Sequence, residues 1–480
     1  MEIATEELTS VLGQFNPWWR GEASADLPSW KRASYKQLLL WIKNPPAPRA
    51  IMLSGARQVG KTTLLLQAIT ELVSQGVDAA NILYITLDHP ILKLVGIKRV
   101  LEAWREREPK KDGVEYLFID EAQFMPDWGT WVKHQVDFEK QRRIILTGSA
   151  MPLMRADQES GVGRWHTIKL NTLSFYEYLQ LKKIKLNPLP DFRSLPRLFD
   201  WKPAEFYRTS ELAAPYIGHF HDYLVRGGFP QTALVENIHT AQKLLREDII
   251  DKALKRDMTA LFGVRRVLDL EQLFLYLCLH DGGLLDMPTL CKNLQVNRST
   301  AQNFLELLEA THLIYRLLPY GYGKDILRGR YKIYLADAAI APAVLLKGKS
   351  VIEDPLALSV AAEAAIFKHL FARDYPNHTM NFTYWRGKQE HEVDIVAEGD
   401  GQITPFEVKY QSQVPDLRNL KGLVELCRAK NVEYAYVISK AVDHFGQIPS
   451  PQIKTKIMRI PATLLCYWMG ENEFQHNQAD

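Results

Sequence analysis

Five short apolar runs lie along the first 180 residues, and stretches of helical periodicity separate them. Runs of this length bounded by polar residues predict buried strands, and their alternation with helices predicts a mostly parallel sheet with helices on both faces. The predicted strands are residues 50–54, 81–87, 115–120, 143–147 and 167–170. Residues 1–180 are therefore expected to form one α/β domain.

The pattern changes three times further along the chain. Residues 181–215 carry several prolines and little periodicity, which predicts a linker. Between 216 and 345 the apolar spacing becomes helical, and two helices around a turn at 295–297, followed by a strand, predict a winged helix within a helical domain. Residues 346–470 return to an α/β pattern, and residues 471–480 are expected to form a flexible tail.

Length and composition agree with several globular domains. A chain of 480 residues exceeds one typical core, and 46% hydrophobic with 24% charged residues is the composition of a soluble globular protein. No apolar run approaches the roughly 20 residues that span a bilayer, and the acidic N-terminus lacks the pattern of a signal peptide. We therefore expect a cytoplasmic protein without membrane contact.

A phosphate-binding loop is predicted directly after the first strand. Residues 55–62 fit the pattern G-x-x-x-x-G-K-[ST] without a mismatch, and the glycines let backbone N–H groups surround phosphates at a helix N-terminus. Lys61 is expected to reach the β- and γ-phosphates of ATP, and the Thr62 hydroxyl to bind Mg²⁺. The residues predicted to bind the nucleotide are Gly55, Ala56, Arg57, Gln58, Val59, Gly60, Lys61, Thr62 and Thr63.

Two carboxylates end the third predicted strand. Asp120 is expected to hold Mg²⁺ through water, and Glu121 to polarise the attacking water as general base. A protein that only binds ATP does not need Glu121, so the pair predicts hydrolysis. Thr147 or Ser149, at the end of the fourth strand, could hydrogen-bond the γ-phosphate or the water, although an ordinary strand-end turn explains these hydroxyls equally well.

The predicted winged helix offers a surface for DNA or RNA, although the net charge of +3 is too small to indicate such a partner by itself. Polar residues that include Arg298 and Asn303 open its second helix, the part that meets bases or phosphates in DNA-reading proteins. A basic run follows at residues 324–332. The alternative is a packing or protein-interaction module with a solvated basic face.

The last predicted domain contains a D…E-x-K pattern. Asp394 lies in one predicted strand, Glu407 and Lys409 share one face of the next, and Glu363 occupies the apolar stripe of an upstream helix. The three carboxylates could hold a second Mg²⁺ or Mn²⁺. Lys409 could then orient a water for phosphodiester cleavage, as in a PD-(D/E)XK nuclease core. A salt-bridged core without metal, or a relic of that fold, is equally compatible.

Short motifs are distributed over most of the chain. They are Asn16-Pro17-Trp18-Trp19, the loop at 55–62, Ile119-Asp120-Glu121-Ala122-Gln123, Trp128, Leu146-Thr147-Gly148-Ser149, Gly163-Arg164, Leu173-Ser174-Phe175-Tyr176-Glu177-Tyr178, Arg226-Gly227-Gly228-Phe229-Pro230, Tyr334-Leu335-Ala336-Asp337 and Asp394 with Glu407-Val408-Lys409. Together they resemble a large prokaryotic family of AAA-fold ATPases with a C-terminal domain of unknown function that has a nuclease-like fold.

The resemblance implies an ATPase core, a helical and winged-helix middle and a nuclease-like end. It also implies that Arg164 senses the γ-phosphate or acts as an arginine finger. Finger action from a neighbouring subunit would require an ATP-dependent homo-oligomer. This sequence has Ala150 where a second serine is frequent, which favours Thr147 or Ser149 as the sensor.

Two functional hypotheses follow from the sequence. The first is an ATP-hydrolysing switch or motor that controls a nucleic-acid-directed C-terminal domain, with metal-dependent nuclease activity as one version. The second is a signalling ATPase whose winged-helix and nuclease-like domains are catalytically inert and bind an unknown protein partner. A chaperone-like remodeller of proteins is a more distant alternative.

Overall fold

The first domain contains a five-stranded parallel sheet, as the alternation of apolar runs predicts. In the computed structural model, which describes residues 3–22, 27–149, 163–321, 330–374, 380–387 and 390–479, the strand order is β2-β3-β4-β1-β5. The strands are β1 Ala50–Ser54, β2 Ile82–Thr86, β3 Glu115–Asp120, β4 Arg142–Gly148 and β5 Trp165–Lys169. The prediction of five parallel strands is confirmed, with small differences at the strand ends.

Helices cover both faces of this sheet. They are α1 Thr5–Phe15, α2 Tyr35–Lys43, α3 Lys61–Ser74, α4 Pro90–Val95, α5 Ile97–Arg107, α6 Trp128–Phe138 and α7 Phe175–Leu181. Alternate residues of β1 enter different cores: Ile51 and Leu53 pack with α2 and α3, whereas Ala50 and Met52 pack with α1, α5 and α6. A strand buried on both faces needs a continuous apolar run, which explains the sequence pattern.

The outer edge of β2 is covered by the motif that begins at Asn16. The Asn16 side chain donates to the Tyr84 carbonyl at 2.9 Å and accepts from the Tyr84 N–H at 2.7 Å. The ring N–H groups of Trp18 and Trp19 donate to the Ile82 carbonyl at 3.2 and 2.9 Å. An uncovered edge would offer unpaired backbone groups to other chains, so this motif protects the β2 edge of the sheet.

Residues 181–215 do not form the extended linker that their prolines suggest. They include α8, Pro203–Ala213, which packs on the C-terminal domain. The Ser210 hydroxyl, for example, donates to the Val442 carbonyl at 2.7 Å. Pro203 stands in the first turn of α8, where the missing N–H is not needed, so this proline begins a helix instead of preventing one.

The middle of the chain is helical and ends in a hairpin. Its helices are α9 Tyr216–Arg226, α10 Pro230–Leu234, α11 Ile238–Leu244, a π-helical segment Leu245–Asp257, α12 Met258–Phe262, α13 Val267–Leu279, α14 Met287–Leu294 and α15 Arg298–Ala310. Side-chain caps from Asp286 and Asn297 begin α14 and α15. The antiparallel strands β6 Ile314–Pro319 and β7 Lys332–Leu335 follow. We call this hairpin the wing; it completes the elements predicted for a winged helix.

The wing is continuous with the sheet of the C-terminal domain. That sheet has the order β12-β13-β11-β10-β9-β8-β6-β7. Its remaining strands are β8 Asn381–Arg386, β9 Glu392–Gly399, β10 Gln402–Lys409, β11 Tyr434–Ser439, β12 Gly446–Ile448 and β13 Lys456–Pro461. β6 pairs with β8 near its end, through Leu318 and Pro319, and the Tyr320 N–H that follows donates to the Tyr384 carbonyl at 2.6 Å.

The C-terminal helices bring the two ends of the chain together. They are α16 Ile340–Val344, α17 Ser350–Glu353, α18 Pro355–Asp374, α19 Lys421–Lys430 and α20 Ala462–Ala479. The prediction of a flexible tail at 471–480 is wrong up to residue 479, because α20 continues through it and packs against α2 and α7 of the first domain. Phe474, for example, contacts Tyr176 with ring centroids 5.7 Å apart.

One helix is more apolar than the sequence analysis recognised. Among the described residues, Pro355–Ala372 of α18 is long and apolar enough to cross a membrane by length and composition, contrary to the expectation that no segment approaches this length. However, 61% of that window is buried inside the protein. Ala362, Ile366 and Phe367 belong to the main hydrophobic core of the protein, so this helix is a buried core helix.

Candidate active site

The predicted phosphate loop connects β1 to α3. At Gly55 a Cβ atom would lie 2.2 Å from the Leu170 carbonyl oxygen, so no other residue fits without a backbone shift. Gly60, which precedes α3, has φ +100°, in the region that favours glycine. The two glycines thus hold the loop at the N-terminus of a 14-residue helix, where N–H groups and the helix dipole favour phosphate.

Lys61 is folded back into this loop. Its Nζ donates to the carbonyl oxygens of Gly55 and Ala56, both at 2.8 Å, and its side chain is buried. Burial lowers the pKa of Lys61, while nearby carboxylates oppose that shift. A phosphate oxygen is a stronger partner for an ammonium group than a neutral carbonyl, so a bound polyphosphate can replace both contacts.

Asp120, at the end of β3, lies beside Thr62 as the metal prediction requires. Its Oδ2 accepts hydrogen bonds from the hydroxyls of Thr62 at 2.7 Å and Tyr84 at 3.1 Å. Burial and the charge of Glu121 raise the pKa of Asp120, and a bound cation would oppose that rise. Hydroxyl and carboxylate oxygens are ligands that Mg²⁺ prefers, so the residues present fit this ion. Tyr84 was not predicted, because nothing local to β2 marks it as a site residue.

Sheet order explains why Thr147 and Ser149 reach the same site. β4 lies between β1 and β3, so its carboxyl end faces both the phosphate loop and the carboxylates. The Thr147 hydroxyl donates to Asp120 and accepts from the Glu121 N–H at 3.0 Å. The Ser149 hydroxyl donates to Glu121 Oε2 at 3.2 Å. Both candidate sensors therefore contact the carboxylate pair, which an ordinary strand-end turn would not require.

Glu121 adopts an unusual backbone conformation. Its φ is +56°, in the left-handed region, which costs a residue other than glycine about 1–3 kcal/mol and recurs at functional sites. Gln123, which the sequence places in the same motif without a role, donates from its side chain to the Glu121 carboxylate and to Ser149. The carboxylate is thus held in one orientation, as a general base must be.

Residues of the middle domain contact both sides of the phosphate loop. Asp257, at the end of the π-helical segment, accepts two hydrogen bonds from Arg57, both at 2.6 Å, and the pair is largely buried. His312, in the turn before β6, lies with Nε2 2.9 Å from Ser54 Oγ. Burial lowers the pKa of His312 well below its usual value, which favours the neutral ring. These partners are 200 and 258 positions apart, and no sequence signal links them.

Arg164 lies far from the nucleotide site of its own chain. It precedes β5, whose last residue, Lys169, is opposite Ser54 at the start of the phosphate loop. Five residues of strand place Arg164 roughly 16 Å from that end. Its guanidinium pairs with Asp137 at 3.0 Å. Action on ATP in the same chain is therefore not possible in this arrangement, and finger action in a neighbouring subunit stays a prediction.

A buried ion pair between Arg32 and Glu177 contacts the backbone of the phosphate loop. The Arg32 guanidinium donates to both carboxylate oxygens of Glu177, at 2.8 and 2.9 Å, and to the Val59 carbonyl of the loop at 2.7 Å. Glu177 also accepts from the backbone N–H groups of Ala33 and Ser174. The motif around Glu177 therefore has a structural role that the sequence analysis did not assign.

Two other motifs join the three domains. The Asp337 carboxylate accepts from the Gly228 N–H at 2.9 Å and lies 3.9 Å from the buried Lys368 ammonium. The Gly228 carbonyl accepts from the Leu173 N–H at 2.6 Å. At Gly227 a Cβ atom would lie 2.6 Å from Asp337 Oδ1, which explains a glycine there. Residues from all three domains thus meet at one buried junction.

In the C-terminal domain, two of the three predicted acidic residues, Glu363 and Asp394, surround a lysine of the wing together with Glu392, which was not predicted. Lys332 Nζ lies 2.9 Å from Asp394, 3.0 Å from Glu392 and 3.1 Å from Glu363, and its side chain is 2% exposed. An ammonium group has three N–H donors, so each carboxylate can take one. Burial alone would raise the pKa of Asp394, but the ammonium groups of Lys332 and Lys409 lower it below its usual value.

Glu407 and Lys409 pair with each other. The Lys409 ammonium donates to Glu407 Oε1, while burial and the charge of Asp394 raise the pKa of Glu407. Within the parts of the chain that are described, no group of three His, Cys, Asp or Glu side chains could hold a metal ion. The predicted metal site of Glu363, Asp394 and Glu407 is therefore not formed. The physical reason is that lysines already pair with these carboxylates: Lys332 with Glu363 and Asp394, and Lys409 with Glu407.

The predicted nucleic-acid surface is only partly described. Of the basic run at 324–332, residues 324–329 lie outside the described residues. Lys332 is buried in the acidic cluster, so its predicted contact with nucleic acid is wrong, because three carboxylates already bind its ammonium. Arg298 and Asn303 at the start of α15 are exposed, as a docking surface requires.

The sheet order, the phosphate loop and the carboxylate pair define a P-loop ATPase domain of the AAA type. Residues 47–179 match the AAA domain family, in agreement with this class. Residues 217–350 match a domain of unknown function (DUF8612), and residues 360–458 match another (DUF4143). The match in the first domain supports an ATPase. The other two matches are to domains of unknown function and indicate no activity.

The chain is similar to uncharacterized proteins of several organisms. It is 25% identical over 418 residues to one from Mycobacterium tuberculosis, with 84% of this chain and 81% of that protein covered. A protein from Haemophilus influenzae is 26% identical over 315 residues, covering 64% and 71%. One from Methanocaldococcus jannaschii is 25% identical over 338 residues, covering 67% and 68%.

Similarity to solved structures is weak. The Aeropyrum pernix ORC1 protein in complex with DNA is 14% identical with a TM-score of 0.28, covering 66% of this chain and 93% of that one. AMPPCP-bound DnaA from Aquifex aeolicus is 15% identical with a TM-score of 0.24, covering 57% and 85%. Scores this low say nothing about the partners of this chain.

Proposed function

We propose that the protein is an ATP-hydrolysing switch that passes the nucleotide state of its phosphate loop to its middle domain. One observation supports this above all: Arg57 and Ser54, on the two sides of Gly55, each bind a residue of the middle domain. Polyphosphate at the loop would change the electrostatic surroundings of both contacts. ATP binding and hydrolysis would therefore shift the balance between two arrangements of the middle domain.

The residues of the first domain fill the positions that hydrolysis needs. Lys61 and the loop N–H groups bind the phosphates, and Thr62 with Asp120 supplies oxygen ligands for Mg²⁺, which offsets phosphate charge when bound. Glu121 polarises the attacking water and takes up its proton. Ser149, which is hydrogen-bonded to Glu121, helps to orient that carboxylate.

Asp257→Asn is expected to uncouple the middle domain from the nucleotide. In the wild-type protein, ATP should change amide hydrogen exchange across the segment Leu245–Asp257, because its last residue binds Arg57. The amide of asparagine cannot neutralise the guanidinium, so in the variant this ATP-dependent change should be lost. Hydrogen exchange followed by mass spectrometry, with and without ATP, measures it.

Asp248→Asn is the matched control for this experiment. Asp248 lies on the same segment and pairs with the exposed Lys252 at 2.7 Å, away from the phosphate loop. It should keep the full response to ATP. A wild-type protein whose segment does not respond to ATP, or an Asp257→Asn protein that responds normally, would contradict the proposed route.

We further propose that α15 contacts the phosphate backbone of DNA or RNA. Arg298 and Asn303 are exposed at its start, where a winged helix meets nucleic acid. Combined Arg298→Ala and Asn303→Ala changes should weaken binding and lower the slope of log affinity against log salt by about one, since one cationic contact is lost. Fluorescence anisotropy of labelled duplex and single strands measures this.

Lys421→Ala provides the comparison for that titration. Lys421 is also exposed, but it lies on α19, away from the predicted surface. Its removal should leave the salt slope unchanged. Equal effects of both changes would indicate unspecific charge attraction, and no binding at low salt would favour a protein partner.

For the C-terminal domain we propose the catalytically inert alternative. The contacts of Lys332 with three carboxylates support it, because a metal-dependent nuclease needs those oxygens for its cation. The wild-type protein should not cleave DNA or RNA with Mg²⁺ or Mn²⁺, with or without ATP. Cleavage that disappears in Lys409→Ala while ATP hydrolysis persists would restore the nuclease hypothesis.

A further inference from the structure

The acidic site of the C-terminal domain receives its cation from another part of the chain. Glu363 comes from α18, and Glu392 and Asp394 come from β9, whereas Lys332 comes from the wing. In the strand order, β7 is three strands away from β9. Strand order alone would separate β7 from β9, and it is the path of the wing that brings the ammonium to this site.

Other hydrogen bonds hold the carboxylates around Lys332 in place. The neighbouring Tyr334 donates its hydroxyl to Glu363 at 2.7 Å, so two residues of β7 bind the same carboxylate. Asp394 also accepts from the Val408 N–H at 2.8 Å, which fixes its other oxygen. The three carboxylates lie 2.9–3.1 Å from Nζ, and each of them forms an ion pair with the same ammonium group.

We infer that Lys332 is the resident cation of this site, that it replaces a divalent metal there, and that the site locks the wing to the C-terminal domain. A divalent ion between the same oxygens would stand next to the ammonium, and two cations so close repel strongly in a buried site. The site therefore binds either Lys332 or a metal. This inference is independent of ATP hydrolysis, which occurs in the first domain.

The inference can be tested by Mn²⁺ binding to the full-length protein without nucleotide. Calorimetry on the wild-type and Asp394→Asn proteins should give the same Mn²⁺ binding, because Asp394 holds no metal while Lys332 is present. Lys332→Met removes the charge and keeps much of the side-chain volume. It should bind one additional Mn²⁺ at least about tenfold more tightly than the wild-type protein, a difference of about 1.4 kcal/mol.

Two further variants make the result specific to this site. The additional Mn²⁺ should be lost again in the double variant Lys332→Met with Asp394→Asn. Arg330→Met, which removes a cation from an exposed position two residues away, should gain no Mn²⁺. Hydrogen exchange should also become faster at residues 332–335 in Lys332→Met and stay unchanged in Arg330→Met, because only the former breaks the lock.

Two outcomes would overturn the inference. Mn²⁺ binding by the wild-type protein that is lost in Asp394→Asn would show that the metal and Lys332 do not exclude each other. This comparison tests the inference even if Lys332→Met does not fold. A folded Lys332→Met protein that gains no Mn²⁺ would show that the ammonium does not stand in for a metal. Neither outcome bears on Glu121 or on ATP turnover, so the proposed ATPase function is tested separately.

Discussion

Glu121→Gln is expected to slow ATP hydrolysis by about 10²-fold or more while ATP stays bound. Glutamine has nearly the same size, and its carbonyl oxygen can still accept from Gln123 and Ser149, so the surroundings of the site should persist. Its amide cannot take the proton of the attacking water. Steady-state phosphate release and the binding of a labelled ATP analogue measure the two effects separately.

Lys61→Ala is the contrasting variant. It removes the ammonium that should bind the β- and γ-phosphates, so ATP binding and turnover should both fall. We expect Glu121→Gln to lose turnover but keep ATP binding, and Lys61→Ala to lose both. This difference would distinguish the general base, Glu121, from the phosphate ligand, Lys61. Wild-type turnover in Glu121→Gln would show that Glu121 is not the base.

Glu177→Gln is expected to have the largest effect on stability. The change leaves the buried Arg32 guanidinium without its bidentate carboxylate partner, and breaking a buried ion pair in this way typically reduces the free energy of unfolding by about 3–5 kcal/mol. Because Arg32 also binds the Val59 carbonyl, ATP affinity should fall with it. Urea unfolding monitored by tryptophan fluorescence, together with ATP titration, measures both changes.

Glu205→Gln is the matched control for Glu177→Gln. Both glutamates stand at the third position of a helix and accept from the backbone N–H of the N-cap residue, but Glu205 is exposed and, among the described residues, forms no ion pair with an arginine. Its replacement should reduce the free energy of unfolding by less than about 1 kcal/mol. Similar small losses in both variants would contradict the importance of the Arg32–Glu177 pair.

Local sequence was sufficient to predict the nucleotide site. The phosphate loop needs glycine at fixed offsets, Gly55 for close approach and Gly60 for its positive φ, and these needs appear directly in the sequence. Asp120 and Glu121 are consecutive and end an apolar strand. Strands buried on both faces give continuous apolar runs, so the five strands could also be predicted.

Segments were predicted less well where composition and packing disagree. Residues 181–215 and 471–480 have the prolines or polar residues of unstructured chain, yet α8 and α20 lie there and pack on distant residues. Val442 binds α8 and Tyr176 contacts Phe474, across 232 and 298 positions of sequence respectively. Packing of this kind overrides local composition, because buried area stabilises a helix more than propensity does.

The sequence by itself determined the sheet of the first domain and the chemistry proposed for it, namely a nucleotide loop, two oxygen ligands for Mg²⁺ and a general base. Only the tertiary structure decided which partner each charged side chain binds. Arg57 binds Asp257 of the middle domain, Arg164 binds Asp137, and Lys332 binds acidic residues of another domain. Loop geometry depends on neighbouring residues and is visible in a motif, whereas charge pairing depends on distances that arise only when separate elements pack together.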